Sequence, residues 1–244
     1  MKDIPEILFQ NDSLVALYKP SGLLSVPDRY HEEKLSASLW VVGKFSEARP
    51  LHRLDFETSG ILLFCINPNA FGWYSDQFEK RSVSKTYLAI VEGKLLIEGG
   101  VINQPLFTHT TGKVTITKRG KESVTNWKLL ESFAHHAYVK ANPVTGRTHQ
   151  IRVHLSSIGH PVLCDTTYGA SGPFLLSTIK GRRKYKLGKD DEQEKPLFDR
   201  TALHSSVIEI ADFKTTQTIR VDCPLPKDMN IVLQKLKQYS PIQK

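Results

Sequence analysis

Long apolar runs are missing from this 244-residue chain. No stretch of about 18 apolar residues occurs, so no membrane span is expected. Cysteine is scarce. Cys65, Cys164 and Cys223 are far apart, odd in number and form no Cys-x-x-Cys pair. That excludes a disulfide framework and a zinc knuckle, and a reducing cytoplasm is the natural setting. No Gly-rich phosphate loop of the Walker type occurs, and no dinucleotide fingerprint. The histidines at 135, 136, 149, 154 and 160 lack the i, i+4 pair with a third ligand that zinc sites show, so no metal is expected. No internal repeat or low-complexity tract is present. The first ten residues carry acids and no long apolar stretch, so they do not read as a signal peptide.

What is present is a basic chain with material for a core. Hydrophobic residues make up 40% of it and the formal net charge is +8. Such a balance favours a polyanionic partner through phosphate contacts and counterion release. A soluble protein that is merely basic is the alternative. Glu6 to Phe9 and Leu14 to Lys19 read as strands around an Asn11-Asp12 turn. Leu35 to Phe45 and Asn69 to Lys80 read as helices, and Gly60 to Cys65 as a buried strand. Lys85 to Glu92 is apolar on both faces, as a central strand would be. Further strands are expected over Lys113–Thr117, Ser123–Leu130, His136–Ala141, Ala202–Ile210 and Thr218–Val221, and a helix over Arg147–Ile158. After Pro226, an apolar stripe of Met229, Val232, Leu233, Leu236 and Tyr239 closes the chain as a helix.

Many strands, few helices and no strict βαβ alternation imply an α+β fold on a large, mainly antiparallel sheet, as one domain over 1–244. The segment from Ser171 to Asp199 stands apart. Lys180, Arg182, Arg183, Lys184, Lys186 and Lys189 precede Asp190, Asp191, Glu192 and Glu194. It reads as an exposed charged insertion or long loop whose basic half could touch phosphates, or as a solvated loop with offsetting charges.

Three constellations carry chemistry. In Leu51-His52-Arg53-Leu54-Asp55-Phe56-Glu57-Thr58-Ser59-Gly60 an acid sits in a polar loop that feeds an apolar strand, where catalytic groups are commonly held. The bland reading is a turn, since Asp and Ser-Gly are common turn chemistry. In Thr145-Gly146-Arg147-Thr148-His149-Gln150-Ile151-Arg152-Val153-His154 the start of a helix would offer N–H groups and cations to an anion. The bland reading is an ordinary, partly exposed helix. In Lys85-Thr86-Tyr87 a strand aromatic is either core or a platform on which a base stacks.

Taken together these segments resemble the RluA-like family of pseudouridine synthases. Four match in the family's order: Tyr18-Lys19-Pro20-Ser21-Gly22; His52 to Gly60; Lys85-Thr86-Tyr87 with Gly93; and Gly146 to Arg152 continued by Gly159-His160-Pro161. Leu203-His204 matches a further short motif. The resemblance spans about residues 13 to 225. Cys164 departs from it by occupying a slot where the family usually has Gly, and Ser205 stands where Ala is common. The 171–199 segment is longer than in the shortest members.

The resemblance implies an isomerase that breaks the N1 glycosidic bond of a uridine in structured RNA, turns the base and rejoins it through carbon 5. No cofactor and no metal is required. It implies that Asp55 is the essential carboxylate, that Arg152 is its ion-pair partner, and that Tyr87 is the platform beneath the target uracil. The reactive nucleotide must be flipped from its stack. Arg53, two residues before the acid, is expected to fill the vacated stack or to grip a phosphate. Lys19 and Pro20 are expected to shape the pocket, and His52 to bond within the loop. The expected partner is a tRNA or ribosomal RNA stem-loop, with no membrane and a monomeric protein. Two other readings compete: a non-catalytic RNA-binding or RNA-folding protein on the same scaffold, and a nucleosidase that releases the base to water.

Overall fold

The computed structural model describes residues 4–28, 34–181, 185–186 and 193–242. The chain divides into two compact units, Met1–Tyr87 with His204–Pro224, and Leu88–Leu203 with Leu225–Lys244.

The first unit opens with the antiparallel hairpin of β1 (Glu6–Gln10) and β2 (Leu14–Lys19). Its turn is made by Asn11, whose Oδ1 accepts the N–H groups of Ser13 and Leu14 at 2.9 and 2.8 Å. Helix α1 (Ala37–Val42) starts at Ser36, whose hydroxyl accepts from the Leu39 N–H. The short β3 (Arg49–Pro50) and β2 both pair antiparallel with β4 (Ser59–Cys65). All seven residues of β4 are buried, which is why it reads as an unbroken apolar run. Helix α2 (Phe71–Glu79) follows, and the unit boundary then falls inside β5 (Ser84–Glu92).

The second unit continues from β5 into β6 (Gly99–Asn103), the hairpin of β7 (Leu106–Thr108) and β8 (Val114–Ile116), then β9 (Val124–Ser132) and β10 (His136–Pro143). Strand β9 lies between β6 and β10, antiparallel to both. Helix α3 (Gln150–Ser157) and the short α4 (Leu176–Lys180) follow. The chain then returns to the first unit through β11 (Leu203–Ala211) and β12 (Thr218–Asp222), an antiparallel pair. Strand β11 runs parallel to β4 at His204↔Ser59 and Ser205↔Gly60. Gly60 is required there: its φ is +115°, and a Cβ would stand 2.1 Å from the Ser205 carbonyl oxygen. Helix α5 (Lys227–Tyr239) ends the chain in the second unit and buries Met229, Val232, Leu233 and Leu236, each contributing about 1.5–3 kcal/mol of hydrophobic transfer.

The expected α+β class, rich in antiparallel strands, is what the chain forms. The first unit's core gathers Leu14, Ala16, Ile61 and Leu63 from β2 and β4, Tyr74 from α2, and Ile208, Ile210 and Val221 from β11 and β12. Two expectations need correction, and three strands were not expected at all. The helix expected from Arg147 begins only at Gln150, because His149 adopts a left-handed conformation (φ 53°) just before it. Strands β3, β6 and β7 carry no clear sequence signal: β3 has only two residues, β6 opens on Gly99-Gly100, and β7 follows Pro105. The segment from Ser171 to Asp199 is not wholly an exposed loop. Phe174 and Phe198 are buried and bridge antiparallel, pinning its ends around α4. Arg182, Arg183, Lys184, Lys189, Asp190, Asp191 and Glu192 lie outside the described residues.

Candidate active site

In the first unit the loop from Leu51 to Thr58 carries Asp55 into β4. Its backbone is held from three directions. The side chain of Lys19, fully buried at the end of β2, donates to the carbonyls of Pro20, Leu23 and Phe56 at 3.0, 2.7 and 3.1 Å. Three ammonium hydrogens thus meet three acceptors, and the Pro20–Leu23 turn is fastened to the residue after Asp55. Ser25 grips Leu54 twice, accepting from its N–H at 2.9 Å and donating to its carbonyl at 2.7 Å. The Gly22 N–H donates to the Phe56 carbonyl at 2.9 Å, and Ser21 Oγ to that of Glu57 at 2.7 Å. Lys19, Ser21 and Gly22 therefore hold the backbone of the Asp55 loop. Asp55 itself is partly exposed, and Arg53 is exposed.

Tyr87, on β5, belongs to the same unit and is buried, with 9% of its surface exposed. Burial pushes its phenol up to about 12, and the negative charge of Asp55 adds to the shift. The phenol is neutral at pH 7, and the structure brings the two residues within electrostatic reach. His52 bonds within the first unit and is neutral at pH 7. Burial, with the charge of Lys85 adding to it, holds the imidazole down at about 3. Its Nε2 accepts the Leu63 N–H at 3.1 Å, and the ring stacks on Phe78 with centroids 5.2 Å apart. Lys85 is a cation to which its motif alone assigns no role. Burial pushes its ammonium below the usual lysine range.

Arg152 lies in the second unit on α3 and is 8% exposed, so α3 is not an ordinary surface helix. Its Nε and Nη2 bind the two carboxylate oxygens of Asp165 at 2.6 and 2.8 Å, and Asp165 is 1% exposed. The Tyr168 ring covers the guanidinium at 5.0 Å. The Tyr168 hydroxyl meets His149 Nδ1 at 2.7 Å and accepts the Val114 N–H at 3.1 Å. This bidentate pair fixes the plane and direction of the arginine. The pairing of Arg152 with Asp55 that the resemblance implies would join residues of the two different units. Asp165 and Tyr168 escape sequence reasoning, because a polar Cys164-Asp165-Thr166 stretch carries no local signal of a partner 13 residues earlier.

The rest of the Arg147–His154 motif is framework. Gln150 Oε1 accepts from Thr145 Oγ1 and from the Arg147 N–H, while its Nε2 donates to the Val124 carbonyl and to Thr125 Oγ1. His154 is fully buried between Thr125 Oγ1 at 2.9 Å and the Gln104 carbonyl at 3.0 Å. Burial lowers its pKa. Gly93, at φ +87°, leaves room for His160, whose ring a Cβ would meet at 2.8 Å.

Residues 13–157 match the family model described as RNA pseudouridylate synthase. The ribosomal large subunit pseudouridine synthase D of Pseudomonas aeruginosa is 32% identical over 240 residues, covering 96% of this chain and 72% of that protein. The ribosomal large subunit pseudouridine synthase C of Pasteurella multocida is 33% identical over 245 residues, covering 96% and 68%. Among solved structures, human RNA pseudouridylate synthase domain containing 4 superposes with a TM-score of 0.71 at 24% identity, over 98% of this chain and 94% of that one. Domain containing 1 gives 0.67 at 24% identity, over 100% and 98%. The structural likeness is one of fold.

Proposed function

The chain belongs to the RNA pseudouridylate synthase family, and on that premise we propose that Asp55 is its catalytic residue, acting on a uridine flipped out of structured RNA. The protein is an RNA pseudouridine synthase of the RluA-like type, an isomerase. The observation that carries the assignment is the framing of the Asp55 loop. Lys19, Ser25 and Gly22 fix the backbone on either side of the acid while its carboxylate stays partly exposed. A group that attacks or deprotonates a nucleotide must be charged, oriented and reachable, and that framing supplies orientation and access.

Tyr87 is the platform for the uracil ring, and stacking of this kind is worth about 1–3 kcal/mol per base. It also keeps the freed base in place while it turns from nitrogen 1 to carbon 5. Arg152, held rigid by Asp165, binds the substrate. Arg53, exposed two residues before Asp55, replaces the flipped base in its stack or grips a neighbouring phosphate. Residues 1–244 work as one catalytic domain, a cytoplasmic monomer that uses no cofactor or metal. Ribosomal RNA is the first substrate to try, because the matched relatives are named for the large ribosomal subunit. Transfer RNA is the second.

The test is tritium release from RNA labelled at uridine carbon 5, with ribosomal and transfer RNA transcripts in parallel. Wild type should release tritium from one class. Asp55→Asn should lose at least about 10³-fold in rate, roughly 4 kcal/mol of barrier, while binding the same RNA. Release by both proteins at equal rates would remove Asp55 from the chemistry. Binding without release by either would favour the non-catalytic reading. Strand scission by aniline would reveal a nucleosidase.

A further inference from the structure

The hairpin of β7 and β8, in the second unit, presents a partly exposed aromatic face. Its strands pair Leu106↔Ile116, Phe107↔Thr115 and Thr108↔Val114, and directly paired residues share a face. One face is anchored: Leu106 and Val114 are buried with Val153 and Tyr168. The other carries Phe107, 43% exposed, opposite Thr115. The His109 ring stands edge-on to Phe107 with centroids 5.0 Å apart, and its Nε2 lies 2.8 Å from Thr115 Oγ1. The aromatic is thus held in place without being covered.

Exposed cations lie on the two turns that adjoin the hairpin strands. The first is closed by the His109 N–H to the Lys113 carbonyl at 2.8 Å and the Gly112 N–H to the His109 carbonyl at 2.9 Å. The second is closed by the Gly120 N–H to the Thr117 carbonyl at 2.8 Å, and Leu106 and Lys121 exchange backbone bonds of 2.9 and 2.8 Å beside it. Gly120 permits that approach, since a Cβ would stand 2.6 Å from the Leu106 carbonyl carbon. Lys113, Lys118, Arg119 and Lys121 are all exposed, and Glu122 is the sole acid in the sequence from 104 to 122.

An exposed, oriented aromatic on a hairpin whose two adjoining turns carry Lys113 and Lys118, Arg119 and Lys121 matches one ligand chemistry: an unstacked base flanked by phosphates. We propose that the β7–β8 hairpin is an RNA-docking element, with Phe107 stacking an unpaired base and Lys113, Lys118 and Arg119 binding the phosphates on either side. The proposal rests on RNA being the substrate and adds a binding surface outside the Asp55 loop. The small exposed apolar area, with the excess of positive charge, fits a nucleic-acid strand better than a protein partner.

The experiment uses the full chain and a ribosomal RNA stem-loop transcript with an unpaired loop. Its affinity is measured from about 50 to 200 mM salt. Every phosphate deprived of its cation should lower the slope of log affinity against log salt by about 0.7–0.9. The triple variant Lys113→Gln/Lys118→Gln/Arg119→Gln should therefore flatten the slope by about 2–3. Phe107→Ala should weaken binding about 5- to 150-fold at every salt and leave the slope alone. In tritium release both variants should raise KM and keep kcat at saturating RNA. An unchanged slope and affinity in the triple variant, with its melting curve unaltered, would overturn the proposal. So would an equally large weakening by Phe107→Ala on fully double-stranded RNA, where no base is free to stack. Should the wild type bind without releasing tritium, a flattened slope would still uphold the hairpin while the catalytic reading falls.

Discussion

The Asp55 loop and the α3 motif look alike as sequence: each mixes Arg, His and a short polar residue at a loop that enters a regular element. The structure uses them differently. Around Asp55 the polar side chains of neighbouring segments bond to backbone, and the acid is left partly exposed. Around α3 several of the motif's own side chains bond within the second unit. Gln150 and His154 tie the helix to β9, and Arg152 is clamped by Asp165. Both arrangements fix a polar segment, one by building a frame for the backbone and the other by pairing the charge itself. The difference shows that a polar motif's specificity does not say which of its residues face a substrate. Burial and partners decide that.

The largest effect should come from breaking the charge pair. Asp165→Ala removes the bidentate carboxylate from the buried Arg152 guanidinium, and should cost about 3–5 kcal/mol in a denaturant melt. Where the variant still folds, tritium release should fall in kcat more than in KM, and Asp165→Glu should restore part of it. A loss below about 1 kcal/mol would mean that water or another carboxylate takes over the arginine.

A smaller effect is expected on the backbone-framed side. Lys19→Met keeps the buried stem but removes the donor from three carbonyls, and should cost about 1–3 kcal/mol. Because one of those carbonyls belongs to Phe56, kcat should drop while RNA affinity stays near wild type. An unchanged kcat would show that Ser25 and Gly22 hold the loop unaided.

The smallest change is expected at Cys164. Its φ of 62° is a conformation that glycine adopts freely and that costs other residues about 1–2 kcal/mol. The buried thiol contributes packing, and Sγ lies 3.4 Å from the Phe198 carbonyl. Cys164→Gly relieves the strain, loses the packing and loosens the unfolded chain, so calorimetry should find a shift within about 1 kcal/mol.

Elements with a strong period were legible. The β1–β2 hairpin, the apolar β4 and the α5 stripe follow directly from alternation, a continuous apolar run and helical spacing. Those that escaped are short or carry residues that favour turns, such as β6 with Gly99-Gly100. Gly99 sits in a strand because β9 packs so closely that a Cβ would stand 2.6 Å from the Trp127 carbonyl oxygen. Of the proposed site, Asp55, Tyr87, Arg53 and Arg152 could be named from their motifs. Asp165, Tyr168 and the bonding of Lys19 to Phe56 could not, since each depends on residues brought together from distant positions.

By itself the sequence determined the fold class, the family and the loop that holds the acid, because those rest on local pattern and on residue types in order. Tertiary structure alone decided that His52 is neutral, that Arg152 is clamped, that His154 is a strut and that Phe107 is left uncovered. Burial and pairing are properties of what surrounds a side chain, and those surroundings are assembled from segments that sequence order keeps apart.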